Sequence, residues 1–360
     1  MNRYSLIKNY LDRINLHPLT GIVIRYDYFI ENKVDIEFSF IGNIESLKVL
    51  KDGRVVIFVS DDTLRIIDKN DQAIIKNQVG FMDMIILPDD RIAIIGDNNR
   101  ISIINPNTRK HDIIFDKHEY PINNILKVIY KEDGTWQLLS IDSKYILIWD
   151  PITGEIHNKS YSPQSRFLTQ ISNDQIAIYQ DNYIRIYNMN SRIKTDLGVH
   201  RDVIYATLTS DRKLISISDR LNVKKWNLDT KKSQTIYDNE HYFINKILSV
   251  NSEYIIVVFQ TNMLFFNLNS GSCDFLFYHN SNYINNLVIL PDTRIAISLD
   301  NIIAIFEIDN LQKGKCILIN PGVIINTRYQ VNHINLLPDK RLIYSTHEED
   351  GEIDYLIVYK

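Results

Sequence analysis

Three histidines, His118, His200 and His241, recur in register with a repeated pattern along the chain. Imidazoles gathered around one axis could hold a metal or move protons. A metal site would also need carboxylate or histidine neighbours at fixed spacing, and the chain has no HExxH run and no Cys/His cluster. The competing reading, a histidine that hydrogen-bonds inside its own repeat, is the one favoured. Ser270-Gly271-Ser272 lacks the flanking residues of a nucleophile elbow and reads as a turn. No glycine-rich loop is present to cradle a phosphate, and Glu348-Glu349-Asp350 reads as a solvated turn. Cys273 and Cys316 fit no metal or redox spacing, and two cysteines are too few for a disulfide framework. The expectation is a protein that is not an enzyme, with no cofactor and no metal.

Bulk properties narrow the partners. The net charge is −4, so no basic footprint for nucleic acid is expected. Aromatics are plentiful, at 21 Tyr and 14 Phe, but most fall on strand positions that must pack, without the clustered basic residues that base stacking would need. No apolar run reaches the ~20 residues of a membrane span, and Met1-Asn2-Arg3-Tyr4-Ser5-Leu6 does not open a signal peptide. A soluble protein of the reduced intracellular space, cytoplasmic and with free thiols, is expected.

These residues must be positioned by repeats. Leu87-Pro88-Asp89-Asp90-Arg91-Ile92-Ala93-Ile94 returns as Leu290-Pro291-Asp292-Thr293-Arg294-Ile295-Ala296-Ile297 and as Leu337-Pro338-Asp339-Lys340-Arg341-Leu342-Ile343. A period of roughly 40 residues points to β-sheet blades stacked in a ring. Aligning the residue that opens each second strand gives Arg54, Arg91, Thr135, Gln175, Lys213, Tyr254, Arg294 and Arg341. The end of each third strand gives Ile67, Ile104, Trp149, Tyr187, Trp226, Phe266, Phe306 and Tyr359, all large and apolar. Second strands such as Val55-Val56-Ile57-Phe58-Val59 are continuous apolar runs, as strands buried on both faces are. Third strands such as Ile184-Arg185-Ile186-Tyr187 alternate, and a more polar fourth segment such as Asp112-Ile113-Ile114-Phe115 reads as an outer edge.

The sequence therefore predicts an all-β, single closed β-propeller of four-stranded antiparallel blades over 21–360. Eight blades are expected, with seven as the alternative if the last unit packs differently. The last unit stops inside its third strand, and Val34 to Phe40 is a spare strand that would complete it as a clasp. Over residues 1–20, Leu6, Ile7, Tyr10, Leu11 and Ile14 share a helical face, which predicts a short N-terminal helix packed on the ring. A docking element for a partner is the sharper reading of that segment.

The repeats resemble the WD40-repeat family. Trp149-Asp150-Pro151-Ile152-Thr153-Gly154 is similar to the family's third-strand ending, and Trp226-Asn227-Leu228-Asp229-Thr230 is similar to it less closely. The Leu-Pro-Asp turns stand in for Ser-Pro-Asp. His118, His200 and His241 sit where the family's Gly-His histidine would be, and Asp61, Asp181 and Asp300 align with its second-turn aspartate; the fifth unit has Arg220 there. The Ile/Asn-rich style is similar to WD-repeat proteins of giant DNA viruses.

This resemblance implies a non-catalytic scaffold, a monomeric ring that presents loops on one face to a protein or peptide partner. The loops entering the first strands supply the candidate contacts: His118, Tyr120, His200, Arg201, His241, Tyr242 and Tyr283. The alternative is an enzyme or small-ligand binder with its site in the central channel. The inner strands read as apolar and mutually alike, which counts against it.

Overall fold

The structure is a computed structural model. It describes residues 34–68, 72–76, 81–96, 99–238, 244–260, 262–278, 284–290, 294–306, 308–309, 317–318, 323–327, 329–347 and 353–359. The helix expected over residues 1–20 lies outside them.

Among the described residues the strands form eight four-stranded antiparallel sheets and one two-stranded hairpin, Ile308–Asp309 with Ile317–Leu318. Seven sheets follow the chain in simple order. Their first strands are Ile44–Val49 (sheet I), Phe81–Ile86 (II), Ile122–Tyr130 (III), Arg166–Gln170 (IV), Val203–Leu208 (V), Lys246–Ser249 (VI) and Ile284–Ile289 (VII). Sheet VIII is composite. Gln330–Leu336, Leu342–His347 and Ile353–Tyr359 come from the last unit, and Val34–Ile41 pairs antiparallel with Ile353–Tyr359 as the fourth strand. The spare strand read in the sequence thus supplies the strand that the last unit lacks.

Register explains the aligned residues. In sheets I to IV, Ile67, Ile104, Trp149 and Tyr187 pair with Val55, Ile92, Leu138 and Ile176, apolar residues near the start of their second strands. Trp226, Phe266, Phe306 and Tyr359 do the same in sheets V to VIII, opposite Leu214, Ile255, Ile295 and Leu342. Second strands such as Val55–Val59, Ile92–Gly96 and Ile295–Leu299 are buried along their whole length, because both faces meet a neighbouring sheet. β-Branched residues suit such two-sided packing.

The core is divided into seams between sheets. Phe58 and Leu64 of sheet I meet Met84 and Ile94 of sheet II. Ile101 and Phe115 of sheet II meet Leu126 and Trp149 of sheet III. Similar clusters join III to IV, IV to V, V to VI, VI to VII and VII to VIII. A further cluster joins Leu337 and Ile343 of the last unit to Ile44, Leu47 and Ile57 of sheet I. At ~2 kcal/mol for each buried aliphatic side chain, every seam is a substantial share of the stability.

The first strands of neighbouring sheets approach one another, so these strands, rather than the second ones, line the axis. This corrects the expectation of an apolar inner surface. The second strands lie one position further out, and the axial strands carry Glu45, Lys48, Asp83, Lys127, Arg166 and Lys246.

Turns divide between two ends. The upper end carries the second-to-third turns and the entries to the first strands. The lower end carries the first-to-second turns, where arginines staple adjacent sheets. Arg54 pairs with Asp52 and donates to the Pro106 carbonyl of sheet II's turn at 2.9 Å. Arg91 pairs with Asp89 and donates to the Pro151 carbonyl beyond sheet III's third strand, also at 2.9 Å. Between sheets VIII and I lies a pocket lined by Arg54, Asp68 and Arg341, with Arg341 and Asp339 paired at 2.8 Å.

Candidate functional site

The upper end over sheets III to V holds every candidate residue that the structure describes. His118 precedes the first strand of sheet III, and its side chain points inward. Its Nδ1 lies 2.9 Å from Asp142 Oδ2, and its Nε2 lies 2.7 Å from Ser140 Oγ. Trp149 Nε1 donates to the same Ser140 Oγ at 2.7 Å. Trp149, Ser140, His118 and Asp142 therefore form one continuous buried hydrogen-bonded chain. Asp142 Oδ1 accepts the amides of Lys144 and Tyr145 as well, closing the turn. Burial works to raise the Asp142 pKa, but the hydrogen bonds from His118 and these amides outweigh it and hold the carboxyl below its ordinary value.

Sheet V repeats three of these four members. His200 Nδ1 is 2.6 Å from Ser216 Oγ, and Trp226 Nε1 donates to Ser216 Oγ at 2.7 Å. By strand register Ser218, not Arg220, stands where sheet III has Asp142. His200 Nε2 and Asn222 Oδ1 are buried without a well-formed hydrogen bond. Burial, and then the charge of Lys224, push the His200 pKa down to about 4; Asn222 pulls the other way without offsetting them.

His118 and His200 are 7% and 3% exposed, and these figures decide their role. Both belong to the framework, as the favoured reading of the histidines has it, and neither offers its ring to a partner. Arg201, beside His200, is exposed, and Tyr120 is half-buried. His241, Tyr242 and Tyr283 lie outside the described residues. Among the described residues no group of three or more His, Cys, Asp or Glu side chains comes together to hold a metal.

Around Tyr120 the structure assembles residues that sequence reasoning passed over. The Tyr120 and Tyr145 rings are 6.2 Å apart, and Tyr145 meets Tyr161 edge-on at 5.7 Å. Lys144 lies 4.1 Å above the Tyr120 ring and donates to its hydroxyl at 3.0 Å. Lys159 lies 4.4 Å above the Tyr145 ring and is held by Glu119 at 2.9 Å. That hydrogen bond to Tyr120 raises the Lys144 pKa, and Glu119 does the same for Lys159. Tyr161 is 62% exposed, and exposed Tyr183, Val199 and Ile204 continue the strip toward sheet V. Two rings of this tyrosine ladder are thus capped by an ammonium, a surface that suits aromatic and anionic groups together. The available signal was positional: Tyr145 and Tyr161 are direct cross-strand partners at the same strand end.

Among solved structures, the chain is similar to the C-terminal WD40 domain of Sif2. The TM-score is 0.70 at 13% identity, over 92% of this chain and 99% of that chain. No protein-family profile matches, and no curated protein does. The fold is that of a WD40-repeat β-propeller.

Proposed function

We propose that this chain is a non-catalytic interaction module, an eight-bladed ring whose upper end binds an extended peptide or protein segment. The observation that carries the reading is the Tyr120–Tyr145–Tyr161 ladder with Lys144 and Lys159, set on a rigid blade whose turn is locked by His118 and Asp142. Tyrosines, with two side-chain torsions, lose little entropy on binding and make strong anchors, and Tyr161 is the most open of the three. Arg201, at the entry to sheet V, adds a guanidinium for a carboxylate. The consecutive seams and the composite sheet VIII support eight blades in one ring. WD40 propellers generally serve protein–protein interaction, and the fold is consistent with that use.

The test is selection of a displayed peptide library on the whole protein, followed by affinity measurement for the enriched peptides. Tyr161→Ala and Tyr145→Ala should each weaken binding by about tenfold or more, as hot-spot truncations do. Failure to enrich any sequence, or peptides indifferent to both substitutions, would remove this reading.

A further inference from the structure

The two ammonium groups over the tyrosine ladder are not equivalent. Lys159 is neutralised by Glu119 at 2.9 Å. Among the described residues no carboxylate lies within ion-pair distance of Lys144, and its one polar side-chain partner there is the Tyr120 hydroxyl at 3.0 Å. That neutral group takes one of the three N–H donors of the ammonium. Two donors and the whole positive charge are left for a ligand.

The rings differ as well. Lys144 lies 4.1 Å over Tyr120 and Lys159 lies 4.4 Å over Tyr145, whereas among the described residues no cation lies over Tyr161. Tyr161 meets Tyr145 edge-on and is exposed, so it can receive an incoming ring. Tyr120 stands at the entry to the axial strand of sheet III, and Tyr161 ends its outer strand. The site therefore has a direction, with an unpaired cation at the inner end and an uncovered ring at the outer end.

Both ends are held in place. Asp142 Oδ1 accepts the amides of Lys144 and Tyr145 at 2.7 and 2.6 Å, and Asp142 is itself fixed by His118. Lys194 of sheet IV donates to the Tyr161 carbonyl, which ties the outer end to the next sheet. A ligand thus meets a backbone that is already ordered. The ring spacings put the two ends at most about 12 Å apart, which an extended chain covers in about three or four residues. The net charge of −4 does not oppose an acidic ligand here, because charges more than ~8 Å away are screened at physiological salt.

We infer that the peptide bound on this ladder is acidic: an Asp or Glu side chain meets Lys144, and an aromatic side chain about three or four residues away packs on Tyr161. The inference rests on the peptide-binding reading and narrows it to one partner chemistry and one direction.

The test takes peptides enriched by display on the whole chain and makes each in two altered versions. One has its acidic residues changed to amides, and the other has its aromatic residue changed to Ala. The wild type should bind the amide version at least about fivefold more weakly, and added NaCl should weaken the acidic peptide but not the amide one. Lys144→Met should bind the acidic and amide versions alike, at the level that the wild type shows for the amide version, which also reports a folded variant. Lys144→Arg should restore the preference. Against Tyr161→Ala, the loss of the peptide's aromatic ring should cost nothing further. Lys231→Met, in the turn between the third and fourth strands of sheet V, should behave as wild type. An acid preference that survives in Lys144→Met, or enriched peptides without an acidic residue, would overturn the inference and leave the peptide-binding reading standing. A chain that enriches no peptide would overturn both.

Discussion

Ser140 shows how much can rest on one hydroxyl. It is fully buried and serves Trp149 and His118 at once. Ser140→Ala should cost about 2–4 kcal/mol in urea unfolding, because it strands an indole N–H and a ring nitrogen away from water. His200 supports a prediction of a different kind. With a folded pKa of about 4 against an ordinary 6.5, its unfolded form binds more protons between those values. The stability it confers is therefore complete above pH 6.5 and lost as the pH falls toward 4, by about 3 kcal/mol in all. A His200→Gln chain should show a flatter stability profile across that interval; an unchanged slope would mean that another group titrates there. The sequence placed both histidines at the head of a first strand. Their inward rotation was not legible, because it depends on Ser140 and Ser216, two residues of an ordinary type that matter only once the strands are paired.

Among elements, the turns were read well and the strand roles less so. The Leu-Pro-Asp-x-Arg signature marks a first-to-second turn wherever it occurs. Its arginine at Arg91 has a second task, reaching the next sheet, which no single repeat can reveal. Arg91→Lys should lose the guanidinium fork to Asp89 and the Pro151 carbonyl together, at about 1–2 kcal/mol by denaturant midpoint. Gly198 is the sharper constraint. It sits in a bulge at φ 158°, and a Cβ there would come 2.6 Å from the Trp226 ring. Gly198→Ala should destabilise by about 1–3 kcal/mol through overpacking and should perturb the Trp226 fluorescence. The axis was misjudged for a related reason. Apolar second strands dominate the pattern, whereas the polar first strands are short and carry bulges, as between Ile44 and Ser46, which blur their alternation.

For the whole molecule, the period and the spare strand carried most of the architecture. They could do so because each sheet buries its faces only against another sheet, so the pattern must repeat in every unit. The surface ladder of tyrosines obeys no such rule and had to be seen. The composite sheet gives a direct test. Glu37 and Phe38 pair with Ile357 and Leu356, so paired substitutions Glu37→Pro and Phe38→Pro would remove at least one amide that faces that strand. The variant should run as oligomers in size-exclusion chromatography, since an open edge pairs with other copies. A monomer of wild-type stability would mean that the strand is dispensable.

The same pairing sets a timetable for biosynthesis. Residues 34–41 leave the ribosome long before Ile353–Tyr359, with which they must pair. The early strand must wait, unpaired, while seven sheets form behind it. Its closure is the most non-local strand pairing among the described residues and so belongs to the slow end of folding. Throughout translation the nascent protein exposes a strand that any similar neighbour could capture, so shielding of that one segment bears on yield as well as the stability of the finished fold.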